Sequence, residues 1–187
     1  MAYYRNVGNV PHKRHVQHRN PEGGLYYEEL MGEEGFSSDS TLMYHTFIPA
    51  AIRDVQPWEL PDQSLVPNDP MLPRHYKTQD LPGGAGVDAV IGRRLLLGNG
   101  DVRISYVVAK QTSPYYRNAM GDELLYVHGG TARVETVFGN LDVWEGDYVI
   151  VPRATTHRIV PTGEAPVRIY AMECNSHVTP PKRYLSR

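Results

Sequence analysis

Tyr116-Arg117-Asn118-Ala119-Met120-Gly121-Asp122-Glu123, running on into Leu124-Leu125-Tyr126-Val127 and Gly129-Gly130, is the stretch on which the fold turns. A second stretch completes it: Gly146-Asp147-Tyr148-Val149-Ile150-Val151-Pro152-Arg153-Ala154-Thr155-Thr156-His157. Each holds a short apolar run bounded by glycine or proline, the pattern of a buried strand between turns. The neighbouring sequence continues it. Residues 102–108 form a β-branched and aromatic run. Ala132, Val134 and Thr136 alternate with Arg133 and Glu135, giving one apolar and one charged face. Phe138-Gly139-Asn140-Leu141 reads as a hairpin turn, and residues 148–151 and 167–172 as further strands. Turn signals recur roughly every 8–12 residues, which predicts an all-β barrel or sandwich.

The rest of the chain is different. Residues 1–20 are basic, with Arg5, Lys13, Arg14 and Arg19 beside His12, His15 and His18. That histidine spacing lies on no clear helix, so it reads as a solvated arm rather than a metal site. Six prolines from Pro57 to Pro82 disfavour a stable helix or central strand there and predict an extended wrapping segment. The loop Gly83-Gly84-Ala85-Gly86 at its end lacks the Lys-Ser/Thr pair of a phosphate-binding loop. The expected organisation is an arm, small β elements and wrap over residues 1–92, then a barrel over 93–187 with the start of a linker.

At 187 residues the chain can bury one substantial core. The formal charge of -2 gives no pull towards nucleic acid or an anionic membrane. The single cysteine, Cys174, excludes an internal disulfide framework and fits a reducing compartment. No apolar run approaches the roughly 18–20 residues that span a bilayer, and no signal-peptide pattern opens the chain. A cytoplasmic address is expected, and the aromatic-rich N-terminal segment and long wrap predict a homo-oligomer.

The two opening stretches resemble the two motifs of a cupin, a small double-stranded β-barrel with its metal ligands near one end. That resemblance implies two histidines on alternate residues of the first motif, a glutamate shortly after, and one histidine in the second. This sequence has Tyr116 and Asn118 at the two histidine positions, and keeps Glu123 and His157. The four are therefore the barrel-cavity candidates. A transition metal needs about three to four suitable ligands, so no metal is expected in this chain. Glu123 is expected instead to pair with a cation such as Arg117, and His157 to hydrogen-bond near the barrel mouth.

A narrower resemblance runs through Gly24-Leu25-Tyr26-Tyr27-Glu28-Glu29-Leu30-Met31-Gly32, Tyr116-Arg117-Asn118 with Gly121-Asp122, Phe138-Gly139 and residues 169–173. In that order they are similar to the N-terminal half of homogentisate 1,2-dioxygenase, nearer its bacterial branch. The resemblance implies a two-half cupin enzyme of tyrosine and phenylalanine breakdown. Its first half has lost its metal site; its second half carries Fe(II) on two His and a Glu, and takes the aromatic acid and O2. Arg187 falls about where that second half would begin, and no residue here matches the iron ligands. Two other readings stand beside it: a catalytically silent cupin that binds a small ligand or partner, and a self-contained isomerase-type cupin using His157 and Glu123 as acid and base.

Overall fold

A computed structural model describes residues 17–32, 37, 40–59, 61–81 and 84–184. His12, His15, Arg5, Lys13, Arg14, Gly83 and Arg187 lie outside them. The described residues form two compact units that part after Glu59. Among them no helix is long and apolar enough to cross a membrane.

The smaller unit is built on a hairpin, β1 (Tyr27–Gly32) against β2 (Ser40–His45), with Leu30 opposite Leu42. Glu29 and His45 lie 2.9 Å apart across it. The turn before it is set by Asn20, whose side-chain oxygen accepts from the Gly24 and Glu22 amides.

The larger unit holds β3 (Gly84–Asp88), β4 (Arg94–Gly98), β5 (Val102–Gln111), β6 (Glu123–Gly129), β7 (Thr131–Thr136), β8 (Gly139–Trp144), β9 (Tyr148–Val151), β10 (His157–Pro161) and β11 (Val167–Cys174). One sheet runs β3-β5-β11-β6-β9, with β4 also paired to β5; the other runs β10-β7-β8. Val107, Leu125, Val127, Val167 and Ile169 from the first meet Val134, Val143 and Ile159 from the second in one core. The expected all-β, cupin-type fold is what this arrangement shows. Two facing sheets form because these strands alternate. On β6, Glu123, Leu125 and Val127 are buried, while Leu124, Tyr126 and His128 face outwards.

That alternation also explains many of the tyrosines. Tyr148, Tyr126, Tyr170 and Tyr106 stand opposite one another across four neighbouring strands on the outer face. Ring centroids are 4.7 Å apart for Tyr126–Tyr148 and 4.6 Å for Tyr106–Tyr170, cross-strand aromatic contacts that stabilise the sheet. The Tyr170 hydroxyl meets Thr78 Oγ1 at 2.6 Å, tying the end of the proline-rich segment to this face.

Two glycines hold the first motif in place. Gly130 turns β6 into β7 with φ +78°, where a side chain is strained. Gly121 packs so closely on β11 that a Cβ there would fall on the Cys174 carbonyl oxygen. Backbone cannot yield as a flexible side chain does. Gly121→Ala is therefore expected to cost about 3 kcal/mol or more, at the upper end of overpacking penalties. Urea denaturation checks it; a change below about 1 kcal/mol would mean that the loop is free to shift.

Candidate functional site: an arginine-locked barrel centre

The site starts from the register. Glu123 opens β6 and stands directly opposite Glu173 on β11. Two carboxylates facing each other across a ladder repel. Arg93 resolves the conflict: its Nη2 donates to Glu123 Oε2 at 2.9 Å and its Nη1 to Glu173 Oε1 at 2.7 Å. Its Nε donates to the Ala89 carbonyl at 3.1 Å. All three guanidinium nitrogens are thus engaged, and Arg93 and Glu123 are 5% and 0% exposed.

The turn that aims Arg93 is local. Asp88 Oδ1 accepts from the Val90 and Ile91 amides at 2.7 and 2.9 Å. The Gly92 amide closes the turn on the Asp88 carbonyl. A Cβ at Gly92 would collide with Val87, so glycine is needed where the chain reverses towards Arg93.

Two of the other three candidates bond the same carboxylate, and the third, His157, packs against one of them. The Tyr116 hydroxyl donates to Glu123 Oε1 in a short hydrogen bond, and Asn118 Nδ2 donates to the same oxygen at 3.3 Å. Tyr116 and His157 form an isolated bridge, exchanging backbone hydrogen bonds of 2.8 and 2.9 Å. Their rings meet edge to face at 5.4 Å. Asn118 also shapes its own loop, its Oδ1 accepting from Met120 N and its backbone carbonyl from Ala154 N. Asp122 ties both motifs to the end of β11, accepting from Arg153 N at 3.0 Å and Val178 N at 2.9 Å. Arg117, the cation the sequence offered to Glu123, is exposed. It lies between two residues that point inwards, so it points out, and Arg93 takes its place.

Charge states follow from these contacts. Burial pushes the Glu123 carboxyl up, but the Arg93 guanidinium and the hydrogen bonds from Arg93 and Tyr116 outweigh it and hold it below its ordinary value. Burial, reinforced by the Glu123 carboxylate, pushes the Tyr116 phenol up, so it stays protonated and donates. Burial depresses His157 despite its hydrogen bond to the Thr155 carbonyl and the nearby carboxylate. That carbonyl, 3.0 Å away, can only accept, so His157 Nδ1 carries the proton. Nε2 of the neutral ring is then an acceptor, and no described group hydrogen-bonds to it. The His157 resonances are expected not to follow a histidine titration as pH falls from about 7.5 to 5.5, across the ordinary value near 6.5. The sign is destabilising: below about 6.5 the unfolded chain gains a proton that the folded one refuses, so stability falls. A resolved His157 midpoint at or above about 6.5 in the NMR titration would contradict this.

A transition metal does not fit these donors. His157 Nε2 is the one free nitrogen of a ligating kind among the four candidates. Glu123 is neutralised by a guanidinium, whose charge opposes a second cation. Tyr116 keeps its proton, and Asn118 turns its amide nitrogen to Glu123 and its oxygen to the backbone. Among the described residues no three of His, Cys, Asp and Glu gather where they could hold a metal ion.

The family-model comparison agrees with this architecture. Residues 103–173 match the family model described as "Cupin domain". The chain is 33% identical over 161 residues to a Saccharolobus solfataricus protein named "Putative dioxygenase SSO1533". The match covers 85% of this chain but 41% of that protein, so the chain spans less than half of its relative's length. Among solved structures, one from Ralstonia eutropha JMP134, described as a "putative mannose-6-phosphate isomerase", is 26% identical. That match covers 56% of this chain and 100% of the other, with a TM-score of 0.49. A Bacillus halodurans protein, BH2720, is 15% identical over 64% of this chain and 86% of its own, with a TM-score of 0.47.

Proposed function

We propose that this chain acts as the metal-free, N-terminal half of a homogentisate 1,2-dioxygenase-like enzyme, which opens a dihydroxylated aromatic ring with O2. The observation that carries the reading is the match to the Saccharolobus solfataricus relative, along 85% of this chain and 41% of a protein whose name calls it a dioxygenase. The Arg93–Glu123 pair supports the division of labour. A centre closed by its own cation leaves no open coordination position, and ring cleavage with O2 on Fe(II) needs such positions. The iron, the aromatic acid and O2 are assigned to a second cupin half bearing two His and a Glu. This half shapes the assembly, self-associates and shields the reaction from water. The same contacts disfavour acid-base catalysis by Glu123, because its carboxylate accepts from Arg93, Tyr116 and Asn118 at once.

Oxygen uptake tests the proposal, with homogentisate and added Fe(II), for the 187-residue chain alone and for it together with such a second half. Turnover only in the second case is expected. Robust turnover by this chain alone, or none by the two together with the iron bound, would overturn it.

A further inference from the structure

The smaller unit has no core of its own. None of its described residues is buried. Its hairpin sets Leu30 against Leu42, and both are nearly half-exposed. Phe47, Ile52 and Val55, which follow it, lie in solvent. An isolated two-stranded hairpin is marginally stable at best in water, so something has to cover it. Charge narrows what that cover can be: residues 21–59 contain eight acidic side chains and one basic, Arg53.

The larger unit carries a surface of the opposite kind. On the outer face of the β10-β7-β8 sheet, Arg133 pairs with Asp142 and Arg158 with Glu135, so its charges are already matched. The other sheet differs. Its register puts Arg94 opposite Tyr106 and Arg168 opposite Val108, on the same outward face as the tyrosine row. Lys110, two residues beyond Val108, shares that face. The strands β4, β5, β6, β9 and β11 hold two carboxylates, Glu123 and Glu173, and both turn inwards to Arg93. Leu97, Tyr148 and Ile150 are exposed on the outside. This face is therefore apolar and basic, with no acid from these strands to balance it.

We propose that the acidic smaller unit of one copy of this chain docks on the basic outer face of a second copy, with the exchange made both ways. A two-way exchange closes a symmetric dimer. Opposite charge selects the partner and its orientation, and the apolar side chains of both surfaces leave water together. The proposal assigns a surface to the self-association proposed above and rests on that part of the reading alone.

Sedimentation velocity of the 187-residue chain over a range of concentrations tests it. Arg94→Glu with Lys110→Glu reverses the charge of the face, and Glu22→Lys with Glu28→Lys that of the smaller unit; all four side chains are exposed. Each double variant is expected to keep the wild-type circular dichroism and to self-associate about tenfold more weakly, since like charges brought together are costly. An equimolar mixture of the two is expected to regain wild-type association, because each smaller unit then meets a face of opposite charge. Rising salt is expected to weaken association of the wild type. A wild-type chain that stays monomeric, variants that associate as the wild type does, or a mixture no stronger than its components would overturn the proposal. None of these outcomes alters the oxygen-uptake test, so the two readings fail separately.

Discussion

Arg93→Met is expected to destabilise the protein by about 3–5 kcal/mol, the cost of leaving a buried carboxylate without its cation. Methionine keeps the apolar stem of the arginine and lacks the guanidinium, so the loss is chiefly that of the buried cation and its three hydrogen bonds. Glu123 has no exposure through which water could replace the guanidinium, and Glu173 stands directly opposite it. Without Arg93 the two carboxylates face each other across the ladder. Because the penalty comes from the orphaned charge, neutralising that charge should restore stability. Arg93→Met with Glu123→Gln is expected to be more stable than Arg93→Met alone by roughly 1–2 kcal/mol, a coupling of the size seen for contacting residues. Urea denaturation of the four proteins of the cycle measures it. Equal stability of the wild-type chain and Arg93→Met would mean that the pair contributes nothing.

The same pair gives the protein an acid limit. Glu123 is held below its ordinary value in the folded state. The unfolded chain therefore binds a proton first as pH falls below about 4.3. The contribution of Glu123 is fully present above that pH and is lost as pH falls through the folded value. Glu123→Gln should flatten this part of the stability profile, even though it lowers stability at neutral pH.

Much of the barrel was legible because its strands follow the pleat. β5, β7, β9 and β11 each carry a β-branched or alternating run, and the structure places strands over all four. β3, Gly-Ala-Gly-Val-Asp, reads as loop because glycine weakens any local strand signal. It becomes a strand through parallel pairing with β5, a tertiary contact that no local pattern carries. The hairpin β1–β2 is similar: Tyr-Glu-Glu-Leu-Met-Gly does not alternate cleanly, and pairing with Ser40–His45 makes the strand. At the site, the two motifs brought Tyr116, Asn118, Glu123 and His157 to attention, and all four converge. Arg93 was missed. It lies 30 residues before Glu123 and next to the exposed Arg94, so its own neighbourhood gives no sign of burial. The one usable signal was chemical: a glutamate that lacks its metal needs another cation, and an arginine just after the Asp88–Gly92 turn is well placed to provide it.

Arg93 occupies the electrostatic role that a metal would play beside Glu123. A divalent ion approaching Glu123 would have to displace a guanidinium held by three hydrogen bonds. It would gain one imidazole nitrogen, a protonated phenol and an amide in return, too few for the three to four ligands that such ions take. Removing Arg93 alone does not create a site, because Tyr116 and Asn118 still stand where imidazoles would be required. Anaerobic titration calorimetry of the 187-residue chain with Fe(II) and with Zn(II), followed by elemental analysis after desalting, measures this directly. The expected result is no saturable binding below the millimolar range and well under one metal per chain, in the wild type and in Arg93→Met alike. One tightly held metal per chain, lost in both Glu123→Gln and His157→Ala, would contradict it.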